Sequence, residues 1–207
     1  MTILLIAVNV AVFFYELSLG TGHEANAFFA NFALVPAEIV REPSSEAVRS
    51  AFTSMFLHGG WLHLIGNMWF FWIFGNNIED SVGHFKFVVF YLLCGIAAAA
   101  AQVLSAPDSR LPMIGASGAI SGVLGAYLLL FPRARVLAVV PIWIFLRFIY
   151  VPAWLMLIFW FVLQLFSGWA TLRVTQGGVA FWAHVGGFVA GLALIPLFKK
   201  RNVRLFQ

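Results

Sequence analysis

Hydrophobic positions in this chain gather into long runs separated by short polar breaks. The runs cover 2–19, 62–78, 85–105, 117–131, 149–166 and 179–198. A helix needs about 20 apolar residues to cross a bilayer core, and in lipid the helix satisfies its own backbone polar groups. The pattern therefore predicts an all-α polytopic membrane protein: one domain over residues 1–207, built as a six-transmembrane-helix bundle. The first run starts at Met1 without a basic lead-in or a small-residue cleavage site, so it reads as a membrane helix and not a removed signal peptide. The fourth run is short. From Ser117 to Phe131 it spans roughly 21 Å at 1.5 Å per residue, against a core of roughly 30 Å. Its first residue is expected to lie sunken below the membrane surface, reached by a loop from one side.

Two connections stand out. The outer loop 20–61 carries Glu24, Glu38, Glu42, Glu46 and two prolines, but also apolar clusters such as Phe28-Phe29 and Phe32-Ala33-Leu34-Val35. It is expected to fold against the membrane surface. The stretch Val136 to Phe148 is apolar but broken by Pro141 and Arg147. It reads as an interfacial segment or as the start of an extended fifth helix. A seventh span there would carry Arg147 into the bilayer at high cost.

Composition agrees with a membrane protein: 62% of the 207 residues are hydrophobic and 10% charged, where soluble domains carry about 25% charge. The formal charge of +4 does not indicate nucleic acid, because the basic residues sit in loops and report orientation. With both termini cytoplasmic, the inner loops hold Lys86, Arg133, Arg135, Arg147, Lys199, Lys200, Arg201 and Arg204, and the outer loops hold Arg41, Arg49, Arg110 and Arg173. The excess of basic residues inside supports that topology. The single cysteine, Cys94, excludes an internal disulfide.

Candidate chemistry centres on Gly115-Ala116-Ser117-Gly118, where a loop gives way to the short helix. A helix start leaves backbone N–H groups free, a ready site for negative charge. Serine and glycine commonly serve close packing between membrane helices, so Ser117 needs a partner before it reads as a nucleophile. His184 supplies one, since an ionisable residue inside a span points to function. Ser117 and His184 each lie fourteen residues from the inner end of their runs, at Phe131 and Phe198, which places them at one depth. Gly187 and Gly191 share a face with His184, and Gly118 and Gly122 lie one turn apart, so the two helices can approach closely. No acid falls at that depth, which leaves a two-residue pair with the logic of a base activating a hydroxyl. His63 and Asn67, four apart on one helix face, fall near the same level. Their N–H groups and the Ser117 N–H are candidates for an oxyanion hole. The five histidines show no HExxH motif and there is no cysteine pair, so a metal site is not expected.

The run from Phe52 through His63, the His63-to-Asn67 spacing, Phe74-Gly75-Asn76-Asn77-Ile78-Glu79, Gly115-Ala116-Ser117-Gly118 and Ala183-His184-Val185-Gly186-Gly187 together resemble the rhomboid family of intramembrane serine proteases. The resemblance implies Ser117 as nucleophile, His184 as general base, and an oxyanion hole of His63, Asn67 and the Ser117 N–H. It implies transmembrane protein substrates in a lipid bilayer, no nucleic acid and no cofactor. It gives His58 and Glu79 structural roles, and Gln102 a place near water at the serine. A cytosolic segment before the first helix is missing from the pattern: either Met1 is a late start or the segment is absent, and catalysis is not expected to depend on it. The compact form suggests a bacterial inner membrane. The aromatic fifth run, with Phe159, Trp160, Phe161, Phe166 and Trp169 and no small-residue ladder, reads as a lateral gate for substrate or as ordinary lipid-facing surface. Two other classes compete: a non-catalytic rhomboid-like protein that binds membrane helices, and a small transporter using His63, Asn67, Gln102 and His184 as a polar path. Loss of Ser117 or His184 would mark the first, and both are present; paired inverted repeats would favour the second, and none is visible.

Overall fold

The computed structural model describes residues 1–143, 145–171 and 180–207; Arg173 and the first position of the sixth run, Val179, lie outside the described residues. Nine α-helices are present among the described residues. Helix α1 (Thr2–Ser18) leads into three short helices, α2 (His23–Phe32), α3 (Pro36–Arg41) and α4 (Ser45–Thr53), and a 3-10 turn (Ser54–Phe56). Then follow α5 (Trp61–Val82), α6 (His84–Ser105), α7 (Ser117–Leu130), α8 (Ala153–Thr171) and α9 (Phe181–Phe198). Among the described residues, 84–105, 153–170 and 181–198 are each long and apolar enough to cross a bilayer.

The outer loop is ordered by local chemistry. Pro36 occupies the first turn of α3, where its missing N–H costs nothing, and the Ser44 hydroxyl caps α4 by accepting the Ala47 N–H at 3.1 Å. Leu34 and Met113 exchange backbone hydrogen bonds of 3.1 and 2.7 Å, and the Gly115 N–H donates to Ser54 O at 2.9 Å. The outer segment thus straps down the loop that delivers Ser117.

One stretch departs from its expected form. Residues after α7 build an antiparallel hairpin, β1 (Arg135–Ile142) and β2 (Phe145–Pro152), with Arg135 opposite Pro152 and Ile142 opposite Phe145. The segment is neither a helical extension nor part of the fifth span, which begins at Ala153 and not at Ile149. The backbone of Trp143 turns the chain with φ 55° at the tip. Leu137, Val139, Phe148 and Tyr150 on one face are exposed, as are Phe145 and Ile149 on the other. With both faces apolar, the period-2 alternation that announces a half-buried strand is absent. Pro141 bars a helix and is tolerated here because both strands of a two-stranded ribbon are edges.

The bundle is apolar outside and partly polar within. Asn9, Glu16, Asn67, Glu79 and His184 are buried, whereas Trp69, Phe85, Leu104, Phe159, Phe166 and Trp169 are exposed. So large an apolar exterior marks a surface that faces lipid. Helix α7 sits at the centre, packed against α5, α6, α8 and α9. At the inner end, Glu79 accepts from both the N–H and the hydroxyl of Thr2 at 2.7 Å, which ties α1 to α5.

Candidate active site

Backbone contact sets the site. A Cβ at Gly187 would stand 2.0 Å from Gly118 O, and one at Gly191 would stand 1.9 Å from Gly122 O. Any side chain at these positions would force α7 and α9 apart. Close approach on this scale is what small residues permit between membrane helices, where packing replaces the hydrophobic driving force. It places the Ser117 hydroxyl 2.8 Å from His184 Nε2. Both residues lie in the first turns of their helices, and the structure brings them into contact there.

The second polar group arrives from α5. Gly115 adopts φ +121°, a backbone conformation that side chains disfavour, and a Cβ there would sit 2.7 Å from His63 Nε2 and 3.7 Å from Asn67 Nδ2. Glycine therefore lets the loop before Ser117 run directly against both side chains. The Gly59 N–H donates to His63 Nδ1 at 3.3 Å. With Nδ1 an acceptor, the neutral ring carries its proton on Nε2, the nitrogen beside Gly115. Asn67 Nδ2 is buried and finds no acceptor among the described residues. Two side-chain donors and the free N–H groups of the α7 start border one space. That space is a cavity of about 1310 Å³ reaching Ser117, His184, His63, Asn67 and Gln102. The loop residues from Pro107 to Pro112 also line it.

His58 and Gln102 support these groups from behind. The His58 ring centroid is 5.1 Å from that of His63, and its backbone N–H donates to the Glu16 carboxylate at 3.2 and 3.3 Å. Burial lowers the His58 pKa to about 4, and a charge on His63 acts in the same direction. Gln102 spends its amide oxygen on the Ala183 N–H at 3.3 Å, securing the start of α9 one residue before the histidine.

Sequence reasoning missed two residues of α8. Gln164 Oε1 stands 2.8 Å from His184 Nδ1, and the Trp160 ring lies 5.8 Å from the imidazole. The available signal was a lone glutamine inside an apolar run, four positions after Trp160 and seven after the buried Leu157. Among the described residues, no group of three His, Cys, Asp or Glu side chains converges as a metal site would require.

Comparison with known proteins agrees with this architecture. The Rhomboid domain family matches residues 45–201, from α4 to just beyond α9. The chain is similar to Rhomboid protein 1, mitochondrial, of Saccharomyces cerevisiae: 29% identical over 195 residues, covering 91% of this chain and 50% of that protein. It is 32% identical over 139 residues to Rhomboid protease GluP of Bacillus subtilis, covering 67% of this chain and 24% of that protein. Rhomboid-like protein 11, chloroplastic, of Arabidopsis thaliana is 37% identical over 71 residues, covering 34% of this chain and 25% of that one. The chain thus spans half or less of the length of these relatives. The family match takes in the loop that delivers Ser117, the glycine-packed helix pair and the polar residues Ser117, His184, His63, Asn67 and Gln102 around the cavity, and on that ground the chain belongs to the rhomboid family.

Proposed function

We propose that the protein is an intramembrane serine endopeptidase that cuts transmembrane segments of other membrane proteins. The observation that carries the reading is the 2.8 Å contact between the Ser117 hydroxyl and His184 Nε2 at the mouth of a helix, facing a cavity lined by His63 and by Asn67, whose Nδ2 has no acceptor among the described residues. In this reading Ser117 Oγ attacks the scissile carbonyl while His184 Nε2 takes the hydroxyl proton. Negative charge developing on the carbonyl oxygen is met by the Ser117 N–H, His63 Nε2–H and Asn67 Nδ2–H. His184 then returns the proton to the leaving amine, and water resolves the acyl-enzyme by the same steps. Two residues suffice because the helix start and α5 supply the electrostatic part, which in serine hydrolases keeps about 10³-fold catalysis even without the triad.

The lysine and arginine distribution favours both termini on the cytoplasmic side, with the cavity opening to the outer side, and a bacterial inner membrane is the host we propose. Mitochondrial and chloroplast relatives make organelle membranes the alternative host. The test is labelling of the purified protein by a fluorophosphonate probe, run beside cleavage of a model transmembrane substrate. Wild type should label and cleave, while Ser117→Ala and His184→Ala should do neither. A folded wild type that neither labels nor cleaves would instead support a non-catalytic helix binder.

A further inference from the structure

Among the described residues, helix α8 supplies the side chain that hydrogen-bonds His184 from behind the reacting pair. A neutral imidazole has one donor and one acceptor nitrogen, and which is which follows from its hydrogen-bond partners. Ser117 needs the acceptor on Nε2. The proton must then sit on Nδ1, and Nδ1 faces Gln164 Oε1 at 2.8 Å. A side-chain amide oxygen only accepts, so this contact selects the tautomer that can take the serine proton. Trp160, one turn earlier on the same helix, packs 5.8 Å from the imidazole and 6.1 Å from Phe188 of α9. Helix α8 thus holds the ring and its Nδ1 proton from behind, while Ser117 of α7 meets Nε2 from the front.

We propose that Gln164 is a positioning residue: its amide oxygen holds the His184 proton on Nδ1, so the base is competent only while α8 is docked against α9. The inference rests on the serine protease reading of the site and gives it a control element. The helix through which a substrate segment would pass also arms the pair. A substrate that displaces α8 disarms the base until the helix returns, so peptide cleavage is confined to the closed form.

Gln164→Leu removes the acceptor at nearly constant size, and Gln164→Glu restores an acceptor. Gln164→Leu should lower kcat 10- to 100-fold with KM within about three-fold, and slow fluorophosphonate labelling to match. Gln164→Glu should recover most of the rate and move the acid limb of the pH–rate profile upward, since a carboxylate favours the protonated ring. His63 on α5 is the other titratable group that acts on His184, so the profiles are compared in the same background. In Ser117→Ala protein with ¹⁵N-labelled histidine, the His184 signals should report Nδ1–H with Gln164 present and lose that preference in Gln164→Leu. Wild type that labels while Gln164→Leu labels equally fast overturns this inference alone. Equal losses in Leu and Glu variants with an unmoved acid limb also overturn it, by reducing Gln164 to packing. Wild type that neither labels nor cleaves overturns the protease reading instead.

Discussion

The α7–α9 pair and the α8 helix grip the same histidine by opposite means. Between α7 and α9 the contact is backbone on backbone, with Gly187 and Gly191 leaving no room for a methyl group. Helix α8 meets its neighbours through large rings instead: Phe161 stacks on Phe188 at 4.5 Å, and Trp160 leans on both His184 and Phe188. Its other aromatic residues, Trp154, Phe159, Phe166 and Trp169, are exposed. In lipid neither arrangement gains from apolar burial, so the stability of each rests on contact quality. Backbone contact has one geometry. Ring contact can be undone and remade, which suits an element that must move. On the proposed reading, the site would combine a fixed Ser117–His184 distance with an orienting helix held by separable ring contacts.

The fixed half should break hardest. Gly191→Leu would drive a side chain into Gly122 O, and overpacking of this kind costs about 3 kcal/mol. Ser117 labelling should fall at least about 100-fold, with a lower unfolding midpoint in detergent. Normal labelling in this variant would mean that the helix pair can spread, and the contrast with α8 would collapse.

A smaller effect belongs to the outer cap that positions α5. His58 is buried with its pKa lowered from the usual 6.5 to about 4, so the unfolded chain takes up a proton across that window while the folded protein does not. Stability from this group is complete above pH 6.5 and falls as pH drops toward 4. The loss is at most about 3 kcal/mol. Between pH 7.5 and 4.5, wild type should lose more of its unfolding free energy than His58→Gln does. Equal losses would show that acid acts elsewhere.

How far the sequence foretold these features depended on whether a rule of constant geometry applied. Helix rise is constant, so counting fourteen residues from each inner end was enough to bring Ser117 and His184 together. The four-residue spacing of His63 and Asn67 likewise put both against Gly115. Gln164 escaped because its partner lies on another helix, and rotation of α8 about its axis is not encoded in span length. Its polar side chain in an apolar run was the visible clue. The hairpin escaped because apolar residues on both faces erase the strand period, and a short apolar run cannot by itself separate strand from helix. Helices α2 to α4 were legible only as a segment with reason to fold, since their bounds depend on caps such as Ser44.

The gentlest test compares neighbouring phenylalanines on α8. Phe161 stacks on Phe188 without being a partner of His184, whereas Phe159 is 63% exposed and faces lipid. Phe161→Ala should loosen the helix: cleavage of a transmembrane substrate rises about three-fold, worth roughly 0.7 kcal/mol, while probe labelling stays level or slows. Phe159→Ala removes a ring of the same size from a surface without packing partners and should change both readouts by less than two-fold, as expected for exposed sites. Trp160→Ala separates the two roles of α8, because it frees the helix and also strips the packing from His184. Its cleavage should rise less than that of Phe161→Ala, and its labelling should drop further. If Trp160→Ala were instead the faster enzyme by both measures, the base would need no support from α8. The ring contacts would then serve closure alone.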